Sequence, residues 1–268
     1  MPLPPNTTPV PPSIFVPGMS SAGPKPTPLP AHLKEEGRDE ANPSPVGDSF
    51  PQPHLQVHLN DVVDSGTTIF LTSINISDVF PRAVSHVQKA LYVSPSAPEW
   101  HAPTVVQVTL IVRYMEGVAY TRATSEQDRE IHLSSRYVAS IAPTRRAHEI
   151  RGVLVHELVH CYQHNGQGRA PGGLIEGMAD WVRLEAGLAP PHWRKGEELK
   201  KKWDEGYQHT AYFLQYLEKR FGNGTVRRIN DGLRKEYEEK PFWTGLLGRP
   251  VEQLWDDYKK ESQNLLEK

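Results

Sequence analysis

The sequence predicts an α+β fold in which a small β-sheet precedes a helical half, with one buried helix between the two. Three observations predict it. Short stretches of strand-like pattern cluster before residue 140, segments of helical spacing fill the chain after it, and between them GVLVHELVHCYQH, Gly152 to His164, is apolar nearly all the way round.

With 268 residues the chain has room for one sizeable domain and a tail. Residues 1–53 hold 15 of the 25 prolines and no Trp, Tyr or Cys. Such a segment buries too little apolar surface to offset chain entropy, so it is expected to be a disordered tail of polyproline II character. A polyproline-binding partner is its functional option, and residues 54–268 are the expected folded domain.

From Leu55 the pattern becomes globular. LQVHL alternates as a strand does, and Asp78 to Tyr92 reads as a helix with its proline in the first turns. Val105–Tyr114, Gly117–Ala123 and Glu130–Ser140 read as strands of a small sheet. The last is the expected strand beside a cleft, because it stands nearest in order to the buried helix.

That helix carries three polar side chains into a core, where each unpaired polar group costs roughly 2 kcal/mol or more. Residues four apart share a helix face, so His156 and His160 direct two imidazoles at one spot, with Glu157 about 100° round the wheel. This is the geometry of two zinc ligands beside a general base. A polar, glycine-rich connection, Asn165 to Gly173, leads to LIEGMADWVRLEAG, a second helix with Ile175, Met178, Ala179, Val182 and Ala186 as its apolar stripe. Glu176 and Asp180 lie four apart on it and share a face. Gly177 between them is expected to let the two helices approach until one carboxylate completes a metal site. Three protein ligands leave a catalytic zinc one open position, and Asp180 is then the expected acceptor of the far N–H of a ligand histidine. His164 is excluded as a ligand, since eight helical residues set it about 12 Å along the axis from His156. No glycine interrupts Cys161, Tyr162 and Gln163 to bring it back, as one does in metzincin-type sites.

HExxH followed by a helix with ExxxD resembles the gluzincin arrangement. More closely, the block from Gly152 to Gly187, with WDEGYQHTAYFLQYL and LLGRPVEQLWDDYK downstream, resembles the plant basic secretory protein family of zinc peptidases. The similarity runs from about Leu55 to Lys259. It implies His156, His160 and Glu176 as zinc ligands, Glu157 as base, Asp180 behind a ligand histidine, and a gluzincin-like metallopeptidase domain over 54–268. The departures are a net charge of −2 where the family is named basic, and no signal peptide in MPLPPNTTPVPP where the plant relatives are secreted.

Past the second helix, about Glu205 to Phe221 reads as a helix stopped by Gly222. Its aromatics are core by default, but Tyr207 and His209 are candidates to steady an oxyanion, with Tyr207 preferred because it lies in the GY that resembles the family pattern. RRINDGLRKEYEEK and the last 18 residues read as amphipathic surface helices.

Near-neutral charge gives no reason to expect nucleic acid or an anionic membrane as partner, and no apolar run approaches the length of a span. A single cysteine, Cys161, excludes an internal disulfide and suits a reducing compartment, so a cytoplasmic location is expected. The expected function is zinc-dependent hydrolysis of peptide bonds, probing peptide or protein substrates from within the chain as an endopeptidase. The alternatives are a zinc-binding or degenerate scaffold that works by protein–protein interaction, and hydrolysis of a non-peptide amide.

Overall fold

The computed structural model describes residues 49–98, 100–196 and 202–266. The proline-rich stretch up to residue 48, with the partner expected of it, lies outside these, but the end of the tail expected over 1–53 is corrected: Phe50 packs against Trp100 at 5.7 Å and the Pro51 carbonyl accepts from the Gln88 side chain at 2.8 Å.

Four strands form one mixed sheet: β1 (His54–Leu59), β2 (Gln107–Arg113), β3 (Ala119–Ala123) and β4 (Asp128–Ser134). Their order is β1-β2-β4-β3, parallel except for β3, which runs antiparallel to β4. Between β1 and β2 the chain crosses through α1 (Ser65–Ser73) and α2 (Ile76–Leu91). Register sets Leu110 against Ile131 and Val112 against Leu133, so these fully buried side chains share one face. Each contributes about 1.5–3 kcal/mol by leaving water. The opposite face is polar, with the His132 ring stacked on Tyr120 at 4.5 Å and accepting from Arg113 Nε at 3.0 Å.

Two strand expectations are corrected. Glu130–Ser140 is not one strand: β4 ends at Ser134, whose hydroxyl accepts from the Tyr137 amide at 3.1 Å and starts helix α3 (Ser135–Ser140). Nor does its strand part, β4, border the main cavity, which the segment reaches only through Tyr137 of α3. β4 lies between β2 and β3, and the free edge beside the buried helix is β3.

The helical half holds α4 (Arg146–Tyr162), α5 (Gly172–Glu185), α6 (Tyr207–Phe221), α7 (Thr225–Gly232), α8 (Glu239–Leu247) and α9 (Val251–Leu266). In α4 every residue from Gly152 to Tyr162 is buried except His156 and His160, which open onto the cleft. α5 lies antiparallel to α4, since His156 meets Asp180 while the earlier Glu149 meets the later Arg183. A Cβ on Gly177 would stand 2.3 Å from the side chain of Thr210 on α6. The close approach this glycine permits is therefore to α6, not to α4 as expected. The segment read as a helix from Arg227 to Lys240 also breaks: α7 stops at Gly232, and the Leu233 carbonyl and Tyr237 amide bond to Gly166 at 2.7 and 3.2 Å. In α9 the buried residues Val251, Leu254, Trp255 and Tyr258 form the inward stripe of an amphipathic helix. No helix among the described residues is long and apolar enough to cross a membrane.

Candidate metal centre and cleft

Across the α4–α5 contact, one ligand atom each of His156, His160 and Glu176 lies within 4.8 Å of the others, a group that can hold a metal ion. The two histidine Nε2 atoms are 3.2 Å apart, and Glu176 Oε2 is 3.2 Å from that of His156. Two nitrogens bonded at 2.0–2.1 Å and at a tetrahedral angle would lie about 3.3 Å apart, so the spacing fits zinc. The outer ring nitrogens are occupied. His156 Nδ1 is 2.7 Å from Asp180 Oδ1, and His160 Nδ1 is 2.8 Å from the Gln163 side-chain amide. When neutral, with Nδ1–H donated to Asp180, His156 turns a lone pair inward.

The charges favour a cation at this point. Burial works against an imidazolium at His156, but hydrogen bonds to Asp180 and Glu176, and the charges of Asp180 and Glu157, lift its pKa to about 10. Burial and the neighbouring His156 charge push His160 the opposite way. Two imidazoles this close cannot both be imidazolium, so the pocket of carboxylates holds one positive charge where a metal would supply it. Glu176 is held below its ordinary value, first by its hydrogen bond with His156.

Glu157 faces the same cavity with its carboxylate buried, and burial raises its pKa against the opposing pull of His156 and Thr121. Thr121 comes from β3, whose register opposite Ile131 turns its side chain toward α4. The cavity, about 790 Å³, runs between β3 and the two helices. Val118 and Thr124 bond back to β4. By the alternation of an antiparallel pair, Ala119, Thr121 and Ala123 then turn their N–H and C=O groups to the free edge.

Tyr207 and His209 both line this cavity. Tyr207 is 59% exposed and sits at φ 49°, just after Gly206 at φ 88°, so the first residue of α6 holds a backbone shape few side chains adopt. The charge of Glu176, then burial, raises its pKa, which keeps its hydroxyl a donor at neutral pH. His164 is turned away: its Nε2 bonds the His101 carbonyl at 3.0 Å and its amide the Asn230 side chain at 3.0 Å. Cys161 is buried, and burial raises its thiol pKa.

Three residues of the site were missed from sequence: Thr121, Gln163 and the Glu149–Arg183 pair's Glu149, whose carboxylate lines the cavity while accepting from Arg183 at 2.8 Å and Tyr137 at 2.9 Å. Only Gln163 had a signal, three residues after a candidate ligand and directly after the end of its helix.

A family model described as peptidase of plants and bacteria, BSP, matches residues 52–258. The chain has no significant match among curated proteins or solved structures.

Proposed function

The chain belongs to the BSP family, the peptidases of plants and bacteria, and on that premise we propose that it is a zinc-dependent endopeptidase with a gluzincin-like site. The observation that carries this reading is the convergence of His156, His160 and Glu176 beside the buried carboxylate of Glu157. Zinc held by those three residues would polarise the scissile carbonyl and bring a water to nucleophilic strength at neutral pH.

The protein's own groups do the rest. Glu157 takes the proton of the attacking water and passes it to the leaving amine, a task suited to a carboxylate whose pKa burial has raised. Asp180 fixes the His156 tautomer, and the Gln163 side-chain amide, whose nitrogen lies 2.8 Å from His160 Nδ1, would do so for His160 with its oxygen turned to that nitrogen. Tyr207 donates to the oxyanion from the mouth of the cavity, with His209 on the same helix as the other donor within the lining. Ala119, Thr121 and Ala123 bind an extended substrate through backbone alone, which reads chain direction and few side chains.

Metal analysis with peptide digestion tests this. Glu157→Gln should retain one zinc and lose hydrolysis, while Glu176→Ala should lose the zinc. A Glu157→Gln variant that digests peptides at the wild-type rate would sink the reading.

A further inference from the structure

The cleft continues past His160. A second cavity of about 340 Å³ shares Thr121, His160, Gln163 and Asn165 with the first, so the two adjoin. The first takes in the β3 side from Val118 to Thr121, the second from Thr121 to Ala123. A substrate lying along β3 would therefore enter it within about two residues, some 7 Å, of the point opposite Thr121.

Its charged lining has one sign. Arg122, Arg129 and Arg234 line it, and no carboxylate among the described residues does. The acids paired with two of them stand outside the lining: Glu130, 2.6 Å from Arg122, and Asp231, 2.8 Å from Arg234. Arg129 has no carboxylate partner among the described residues. Its Nη1 bonds the carbonyls of Ser125, Glu126 and Asp128 at 3.1, 3.2 and 3.0 Å, and its other nitrogens make no hydrogen bond there. Neutral carbonyls pin this half-buried guanidinium in place without cancelling its charge.

Resting on the peptidase reading above, we propose that this cavity is a subsite for an acidic side chain of the substrate, Asp or Glu, close to the scissile bond. An acidic side chain gains an unneutralised, pre-positioned partner, whereas Lys or Arg meets like charge. The backbone edge accepts any sequence, and this cavity supplies the selectivity that the edge lacks.

The test uses one peptide scaffold with Glu, Gln or Lys at each position within three residues of the cut, digested by the zinc-loaded full chain at low and high salt. One position should favour Glu over Lys in kcat/KM by roughly fivefold or more, and the preference should shrink with salt. Arg129→Gln should erase most of it and Arg129→Lys keep it. Arg234→Gln, on another wall, covers the case in which Arg129→Gln disturbs the turn it pins. No position favouring Glu, or both glutamine variants retaining the preference, overturns the proposal. If the wild type cuts no peptide, the peptidase reading fails, and fluorescence anisotropy of the Glu and Lys peptides with the zinc-loaded protein then decides the subsite, equal binding overturning it.

Discussion

The hydroxyl of Thr121 stands 2.7 Å from Glu157 Oε2 and 2.9 Å from the Glu157 carbonyl oxygen, joining the edge strand to the active-site helix at the proposed base. One hydroxyl proton serves one acceptor at a time. When Glu157 is ionised the hydroxyl donates to it. When Glu157 carries a proton, the carboxyl donates to Thr121, which then donates to the carbonyl. The same contact thus holds the base in both states that hydrolysis requires.

Thr121→Val should therefore lower kcat about tenfold, the loss of one hydrogen bond of ~1.5 kcal/mol to a charged group, with KM and zinc content near wild type. Thr121→Ser should recover most of the rate. Steady-state kinetics on the three proteins checks this, and an undiminished kcat in the valine variant would show that Glu157 is oriented by other contacts.

How much of this was legible follows from the range of each signal. The meeting of His156, His160 and Glu176 is written in helical spacing within two neighbouring segments, so local periodicity suffices. Thr121 is 36 residues from Glu157 and reaches it only because β3 is the edge strand. Two short strands look alike in sequence, and which one lies inside depends on pairing with the distant β2. Ser135–Ser140 continues a strand-like pattern, yet the Ser134 hydroxyl starts a helix there. α1 carries five Ser or Thr residues and no clear apolar stripe; its start is set by Asp64, which accepts from the Thr67 amide at 3.0 Å. Caps and strand order are decided by tertiary context, which single-sequence periodicity does not contain.

Gln163 presents its amide nitrogen 2.8 Å from His160 Nδ1 and leaves its buried Oε1 without a partner. Zinc on His160 Nε2 requires a proton on Nδ1, hence an acceptor opposite it, and turning the amide by 180° provides one. Zinc affinity, measured by chelator competition, should then follow acceptor strength: Gln163→Glu at least as tight as wild type, Gln163→Met roughly tenfold weaker, Gln163→Lys weaker still. His164→Ala should bind as wild type does, since that ring is bonded to the His101 carbonyl. Equal affinity in the glutamate, methionine and lysine variants would remove Gln163 from the metal's support.

The pair between Glu149 and Arg183 ties α4 to α5 away from the metal ligands, and it makes the domain acid-sensitive. Burial raises the Glu149 pKa, but the Arg183 charge and the donors Arg183 and Tyr137 outweigh it and hold it below the ordinary value. A depressed folded pKa means stability that is present above the unfolded value of about 4.3 and lost as pH falls through the folded one. Chemical denaturation of the metal-free protein should show this loss below about pH 4.3. Glu149→Gln should cost about 3 kcal/mol at pH 7, by leaving Arg183 buried and unpaired, and should flatten the acid limb. An unchanged acid limb in that variant would assign the sensitivity to other carboxylates.

An aminopeptidase must seat a free α-ammonium beside the metal, which takes a carboxylate not already in use. The carboxylates lining the main cavity are Glu149, Glu157, Glu176 and Asp180. Glu149 is taken by Arg183 and Tyr137, Asp180 by His156, and Glu176 lies 3.2 Å from His156 and 3.6 Å from His160. Glu157 is held by Thr121 and is the proposed base. Glu130, the one carboxylate of the strand first expected at the cleft, pairs with Arg122 and His132 on the sheet's polar face. None of the carboxylates lining the main cavity is left as an anchor for a chain terminus. The two cavities adjoin at His160, and the free edge of β3 follows them, so an extended chain can lie across the candidate metal site with residues on either side. Acetylating the amino terminus of a cleaved peptide should then leave kcat/KM within about twofold, because less than ~0.5 kcal/mol rides on the terminus. Loss of cleavage on acetylation would make the enzyme an aminopeptidase and require one of these carboxylates to leave its present partner.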